Sequence, residues 1–156
     1  MIISHPLAGS RCPRSYNAIV AILALPVPQT LVPAGGGVAT LLLLPHNIAF
    51  NPDGRLYVAD RANKRIQIFT PDGEYLGQWT GMGGPNDITR GKDGNFYIAE
   101  QEDAGKPAYV CVRDGQGNVL ARMESRHVHG VGVDGRGDIY AGLTTERSVD
   151  KFARVN

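Results

Sequence analysis

From residue 45 onward, apolar and polar residues alternate in runs of about five or six, and each run ends at a turn dipeptide. The stretch PHNIAFNPDGRLYVADRANKRIQIF, residues 45–69, holds three such runs. Asp53-Gly54, Asp72-Gly73, Asp93-Gly94, Gly117-Asn118 and Gly137-Asp138 separate successive runs. Gly reaches positive φ without steric cost and Asp tolerates it, so each dipeptide suits a tight hairpin. In the first part of this region the pattern predicts strands near 46–50, 55–60, 65–69 and 74–79.

The region also aligns with itself. PHNIAFNPDGRLYVAD from Pro45, PNDITRGKDGNFYIAE from Pro85 and VHGVGVDGRGDIYAGL from Val128 share three features. Ile48, Ile88 and Val131 hold the fourth place, Gly54, Gly94 and Gly137 the tenth, and Tyr57, Tyr97 and Tyr140 the thirteenth. Spacings of forty and forty-three residues indicate propeller blades or another repeat array. Four antiparallel strands per unit make one blade. The expected fold is therefore all-β, a partial β-propeller over 44–156, with blades of four-stranded antiparallel sheets at about 45–80, 85–123 and 128–156. The third unit ends before a fourth strand. Propellers typically close with four to eight blades, so two sheet faces are expected to lie open. Such faces invite association. The chain is accordingly expected to be a fragment of a longer propeller, or to complete its ring by association through open blade edges.

Residues 1–43 are of a different kind. Arg11 and Arg14 precede an apolar run from Ala18 to Val27, and small residues follow near Val32 and Ala34. That order is the layout of a secretory signal peptide over residues 1–34, or of a non-native segment outside the fold. With a signal peptide the protein is expected to be secreted or periplasmic. The run is too short for a transmembrane helix. A net charge of +1, with no basic run interleaved with aromatics, leaves no footprint for nucleic acid. Cys12 and Cys111 form no C-x-x-C pair and do not fix the redox compartment. Cys111, alternating with apolar neighbours, reads as a packed side chain.

DGRLYVADRANKRIQIFTPDGEYLGQW resembles the NHL repeat, with Asp60, Asn63, Arg65, Ile66, Gln67 and Phe69 on the pattern. The second and third units are degenerate, since QEDAGKPAYVCV and TTERSVDKF lack N-x-R-I-Q. The resemblance covers about residues 44–156 and implies an incomplete six-bladed ring. Within such propellers the first stretch is similar to the peptidyl-α-hydroxyglycine amidating lyases. That resemblance implies cleavage of a peptidyl-α-hydroxyglycine to a peptide amide and glyoxylate, with zinc on the propeller axis. The family's metal-binding histidines open blades in P-H-x-I/L motifs, and an arginine in V-A-D-R-x-N lies beside them. His46 in PHNIA and His129 in HVHGVGV fall on the histidine motif, and Arg61 in VADRAN falls on the arginine. Asn86 holds the equivalent place in the middle unit. The family's remaining histidine and catalytic tyrosine have no counterpart in residues 1–43, so the chain alone is expected to be inactive or nearly so.

The reading from another class is a noncatalytic NHL propeller that binds a protein or peptide through its loops. Further positions carry their own expectations. His127, two places before His129, would share its side of an extended strand. Asp60, Asn63 and Arg65 would tie turns and blades together. Arg90 would form an inter-blade ion pair, and Trp79 and Tyr75 would pack on outer strands. The acidic loop EQEDAG at 100–105 offers oxygens to calcium, but without the fixed spacing of calcium loops.

Overall fold

The computed structural model describes residues 41–155. The export-signal reading of residues 1–34 and Cys12 lie outside them. Pro45–Phe50 (β1), Leu56–Asp60 (β2), Arg65–Phe69 (β3) and Tyr75–Trp79 (β4) form the first sheet in that order. Pro85–Arg90 (β5), Phe96–Glu100 (β6), Ala108–Arg113 (β7) and Val119–Ser125 (β8) form the second. Val128–Val133 (β9), Ile139–Leu143 (β10) and Ser148–Phe152 (β11) form a three-stranded third. All pairings are antiparallel. The fold is thus all-β and built of propeller blades, with one 3-10 turn at Arg61–Asn63 among the described residues. The β1–β2 hairpin closes on Gly54 at φ 81°, a backbone region that L side chains enter at a cost.

The second strand of each of the first two blades is buried along its whole length. A strand's side chains alternate between faces, so such a strand serves two cores at once. Tyr57 and Ala59 pack with Phe96 and Ile98 between the first two blades. Tyr97 and Ala99 pack with Ile139 and Ala141 between the second and third. Trp79 is wedged into the first seam, its ring centroid 5.1 Å from Tyr57 and 5.2 Å from Phe96. On the other face of the first blade, Leu56, Val58 and Phe69 are buried in a cluster with Leu42, Ile48 and Tyr75. One of the two faces expected to lie open is therefore covered. On the outer strand of the third blade, Val149 stays 66% exposed.

The inner strands β1, β5 and β9 stand side by side. Asn47 Nδ2 donates to Asp87 Oδ1, and Asp87 Oδ2 accepts the Val131 N–H at 2.7 Å. This polar chain runs across three blades and sets their relative height at the axis.

Candidate functional site

His46, Asn86 and His129 are the second residues of β1, β5 and β9. At each of them the ladder with the neighbouring strand shifts register, so each residue is the extra one of a bulge. A bulge removes a residue from the alternation between sheet faces and re-aims its side chain. The three positions that open the blades are thereby turned out of the inter-blade cores.

The imidazoles of His46 and His129 meet edge to face, with centroids 4.8 Å apart and planes at 71°. Both histidines are exposed. His46 Nδ1 lies 2.7 Å from the backbone carbonyl of Asn86. A carbonyl accepts and cannot donate, so in the neutral ring Nδ1 carries the proton and Nε2 keeps its lone pair. Asn86 is 5% exposed; its Nδ2 donates to the Val128 carbonyl at 2.8 Å, and its Oδ1 has no hydrogen-bond partner. One asparagine thus links the strand of one histidine to the strand of the other.

Two imidazoles bound to one tetrahedral zinc place their centroids roughly 5 Å apart, given metal–nitrogen bonds of about 2 Å. The observed spacing fits that geometry, and an orphaned buried oxygen lies on the residue between the two. Among the described residues no group of three His, Cys, Asp or Glu side chains is arranged to hold a metal ion. The axis therefore offers two imidazoles from this chain.

Arg61 begins the 3-10 turn after β2, at the same end of the blade as His46, because Pro45 pairs with Asp60. Its Nε and Nη2 donate to Gln101 Oε1 at 2.9 and 2.7 Å. Gln101 holds the equivalent place in the second blade. Its amide oxygen fixes the guanidinium without neutralising it, and Arg61 makes no hydrogen bond to either imidazole among the described residues.

His127 does not share the orientation of His129. Its φ of 42° takes it out of the extended strand, and its exposed ring lies between carboxylates. Nδ1 is 2.9 Å from Glu146 and Nε2 is 3.3 Å from Glu102. The hydrogen bond to Glu146, with Glu102 adding to it, raises its pKa above the usual histidine range. Arg90 makes no ion pair among the described residues. In the acidic loop, Glu100 is buried and accepts the Gly83 N–H at 3.3 Å, while Asp103 pairs with Lys64 at 2.5 Å. Sequence reasoning missed Asn86 and Gln101 as supports. Their signal lay in the repeat alignment, where they stand at the places of His46 and Arg61.

Residues 42–69 match the NHL repeat. NHL repeat-containing protein 3 of Homo sapiens is 30% identical over 125 residues, covering 72% of this chain and 36% of that protein. Its Mus musculus counterpart is 40% identical over 62 residues, 37% of this chain and 18% of that one. The chain thus spans about a third, or less, of the length of these relatives. Hydrazine synthase of Kuenenia stuttgartiensis superposes at a TM-score of 0.60 with 18% identity, over 78% of this chain and 36% of that one. Virginiamycin B lyase from Staphylococcus aureus superposes at 0.56 with 15% identity, over 78% and 46%. At these identities the structural likeness speaks for the fold. The chain carries an NHL repeat in a propeller-type architecture, and no helix among its described residues is long and apolar enough to cross a membrane.

Proposed function

We propose that these blades belong to an NHL propeller whose axial mouth holds a zinc ion through His46 and His129 and performs lyase chemistry on a peptidyl-α-hydroxyglycine. The convergence of two histidines from blades two apart carries this reading. Zinc, when bound, supplies a Lewis acid that lowers the pKa of a coordinated hydroxyl. The chain's own contribution is positional. The Asn86 carbonyl fixes the tautomer of His46, Asn86 Nδ2 ties β5 to β9, and Gln101 holds the Arg61 guanidinium at the same end of its blade. A guanidinium bound to a neutral amide retains its charge for an oxyanion.

Zinc titration of the full chain against a chromophoric chelator tests the reading. The expected result is about one zinc per chain, weakened about tenfold or more by His46→Ala or by His129→Ala. Unchanged binding in the double variant would sink it. Glyoxylate release from a peptidyl-α-hydroxyglycine by these blades completed into a closed ring, lost with Arg61→Ala, tests the reaction itself. A second reading, a propeller that binds a peptide or protein, draws on the NHL repeat at 42–69. Zinc-independent peptide binding would favour it.

A further inference from the structure

The buried acid of the second blade lacks donors that its counterpart in the first blade has. Asp60 accepts N–H groups from Leu43, Arg65, Asn63 and Gln67. Glu100 stands in the same place and is 1% exposed. Among the described residues its Oε2 accepts the Gly83 N–H, while its Oε1 has no hydrogen-bond partner. The guanidinium of the first blade has been replaced. Arg122, paired with Cys111 as Gln78 is with Gln67, donates to the Gly81 carbonyl at 2.7 Å, as Arg65 does to the Leu41 carbonyl at 3.2 Å. It stands 3.8 Å from Glu100 Oε2. The two carboxamides have not been replaced. Cys111 stands where Gln67 does, and Asp103, forty residues on from Asn63, is paired with Lys64. The Cys111 thiol, its pKa pushed up by burial first and by Glu100 next, is a weak donor.

Beside Glu100 lies a cavity of about 160 Å³, lined by Gly81, Met82, Glu100, Lys106, Tyr109 and Arg122. Its whole wall comes from residues 81–122, well inside the described chain. An engineered cavity of about 150 Å³ holds benzene, so a group of about five heavy atoms fits. Lys106 is exposed at the mouth. A cation that entered would meet Arg122 and Lys106, and an anion would meet Glu100. A neutral group that both donates and accepts avoids both penalties, and its donor would relieve the desolvation cost of the orphaned oxygen.

We propose that this cavity binds a primary carboxamide, whose N–H reaches Glu100 Oε1 and whose carbonyl accepts from Lys106. The first blade supplies the precedent, since Asn63 and Gln67 bring that same group to Asp60. The site uses neither His46 nor His129, so its failure and that of the zinc reading are separate results.

The full chain, carrying 13C-labelled Met methyls, is titrated with propionamide and, separately, with butanone, propionate and propylammonium. The Met82 methyl is expected to shift while Met123 stays still. Propionamide is expected to bind about fivefold or more tightly than butanone, which lacks the donor, and than either ion. Cys111→Gln returns the amide from within and abolishes the Met82 shift. Glu100→Gln, of the same shape, brings propionamide and propionate level. His46→Ala changes nothing. N-acetyl-glutamine methylamide is the peptide arm: tighter binding than propionamide supports a glutamine side chain as the source, weaker binding a free small amide. The absence of any Met82 shift, or butanone or either ion binding as tightly as propionamide, would overturn the proposal. So would a shift that persists in a folded Cys111→Gln variant, or a preference for propionamide left unchanged by Glu100→Gln.

Discussion

The Asp60 carboxylate, fully buried, accepts Arg65 Nε at 2.7 Å from the neighbouring strand. The same carboxylate also takes the Leu43 N–H at 2.7 Å and the amides of Asn63 and Gln67, each at 2.9 Å. The NHL signature of the first blade is thus a structural knot. Asp60→Ala removes a counter-charge from a buried guanidinium and is expected to cost about 3–5 kcal/mol in chemical denaturation. A loss below about 1 kcal/mol, the range of an exposed pair, would contradict this account.

Gly117 tests the seam that Trp79 fills. A Cβ there would lie 2.3 Å from Trp79 Nε1, at a backbone φ of 89°. Gly117→Ala is expected to cost about 1–3 kcal/mol from overpacking and strain. Fluorescence of Trp79, the chain's one tryptophan, should change with it. Thermal unfolding followed by that fluorescence checks both.

The turn of the third blade should be acid-sensitive. Burial pushes the Asp134 carboxyl up, but the Arg136 and Asp138 backbone N–H groups and the Arg136 and Tyr140 side chains outweigh it and hold the pKa at about 2. A depressed folded-state pKa gives stability that is present above the unfolded value and is lost as pH falls through the folded one. The window therefore runs from about pH 4 down to about 2. Hydrogen exchange of the Arg136 and Asp138 amides should accelerate across it, and Asp134→Asn should remove that dependence.

Asn86→His places a third imidazole at the repeat position shared by His46 and His129. The backbone carbonyl that holds His46 Nδ1 remains, while the side-chain link to Val128 is lost. Zinc affinity is expected to rise about tenfold or more as the third ligand is added. Stability is expected to fall by about 1 kcal/mol with the lost hydrogen bond. Affinity that stays level would place the three side chains on separate paths.

The second blade shows why its signature reads as degenerate. Glu100 stands at the place of Asp60, but Tyr109 and Cys111 stand at the places of Arg65 and Gln67. The nearest cation, Arg122, comes from the outer strand at 3.8 Å. The buried acid survived while its partner moved to a different strand, a change that a linear motif does not register. Similarly, Tyr57, Tyr97 and Tyr140 were legible as one repeated position, whereas the packing of Leu42, which precedes the first unit, against Leu56, Val58 and Phe69 was not.

By itself, the amino-acid order determined the strands, the hairpin turns and the period of the blades, because alternation and positive-φ glycines act between neighbours in the chain. It also marked His46 and His129 as equivalent positions. Only tertiary packing decided that a bulge at each blade start turns these residues out of the inter-blade cores, that Asn86 orients His46 and that Met123 stands in the second blade where Trp79 stands in the first. The bulges form within a blade, between strands joined by one hairpin, but the other outcomes depend on groups a whole blade or more apart, which meet only once the sheets have stacked around a common axis.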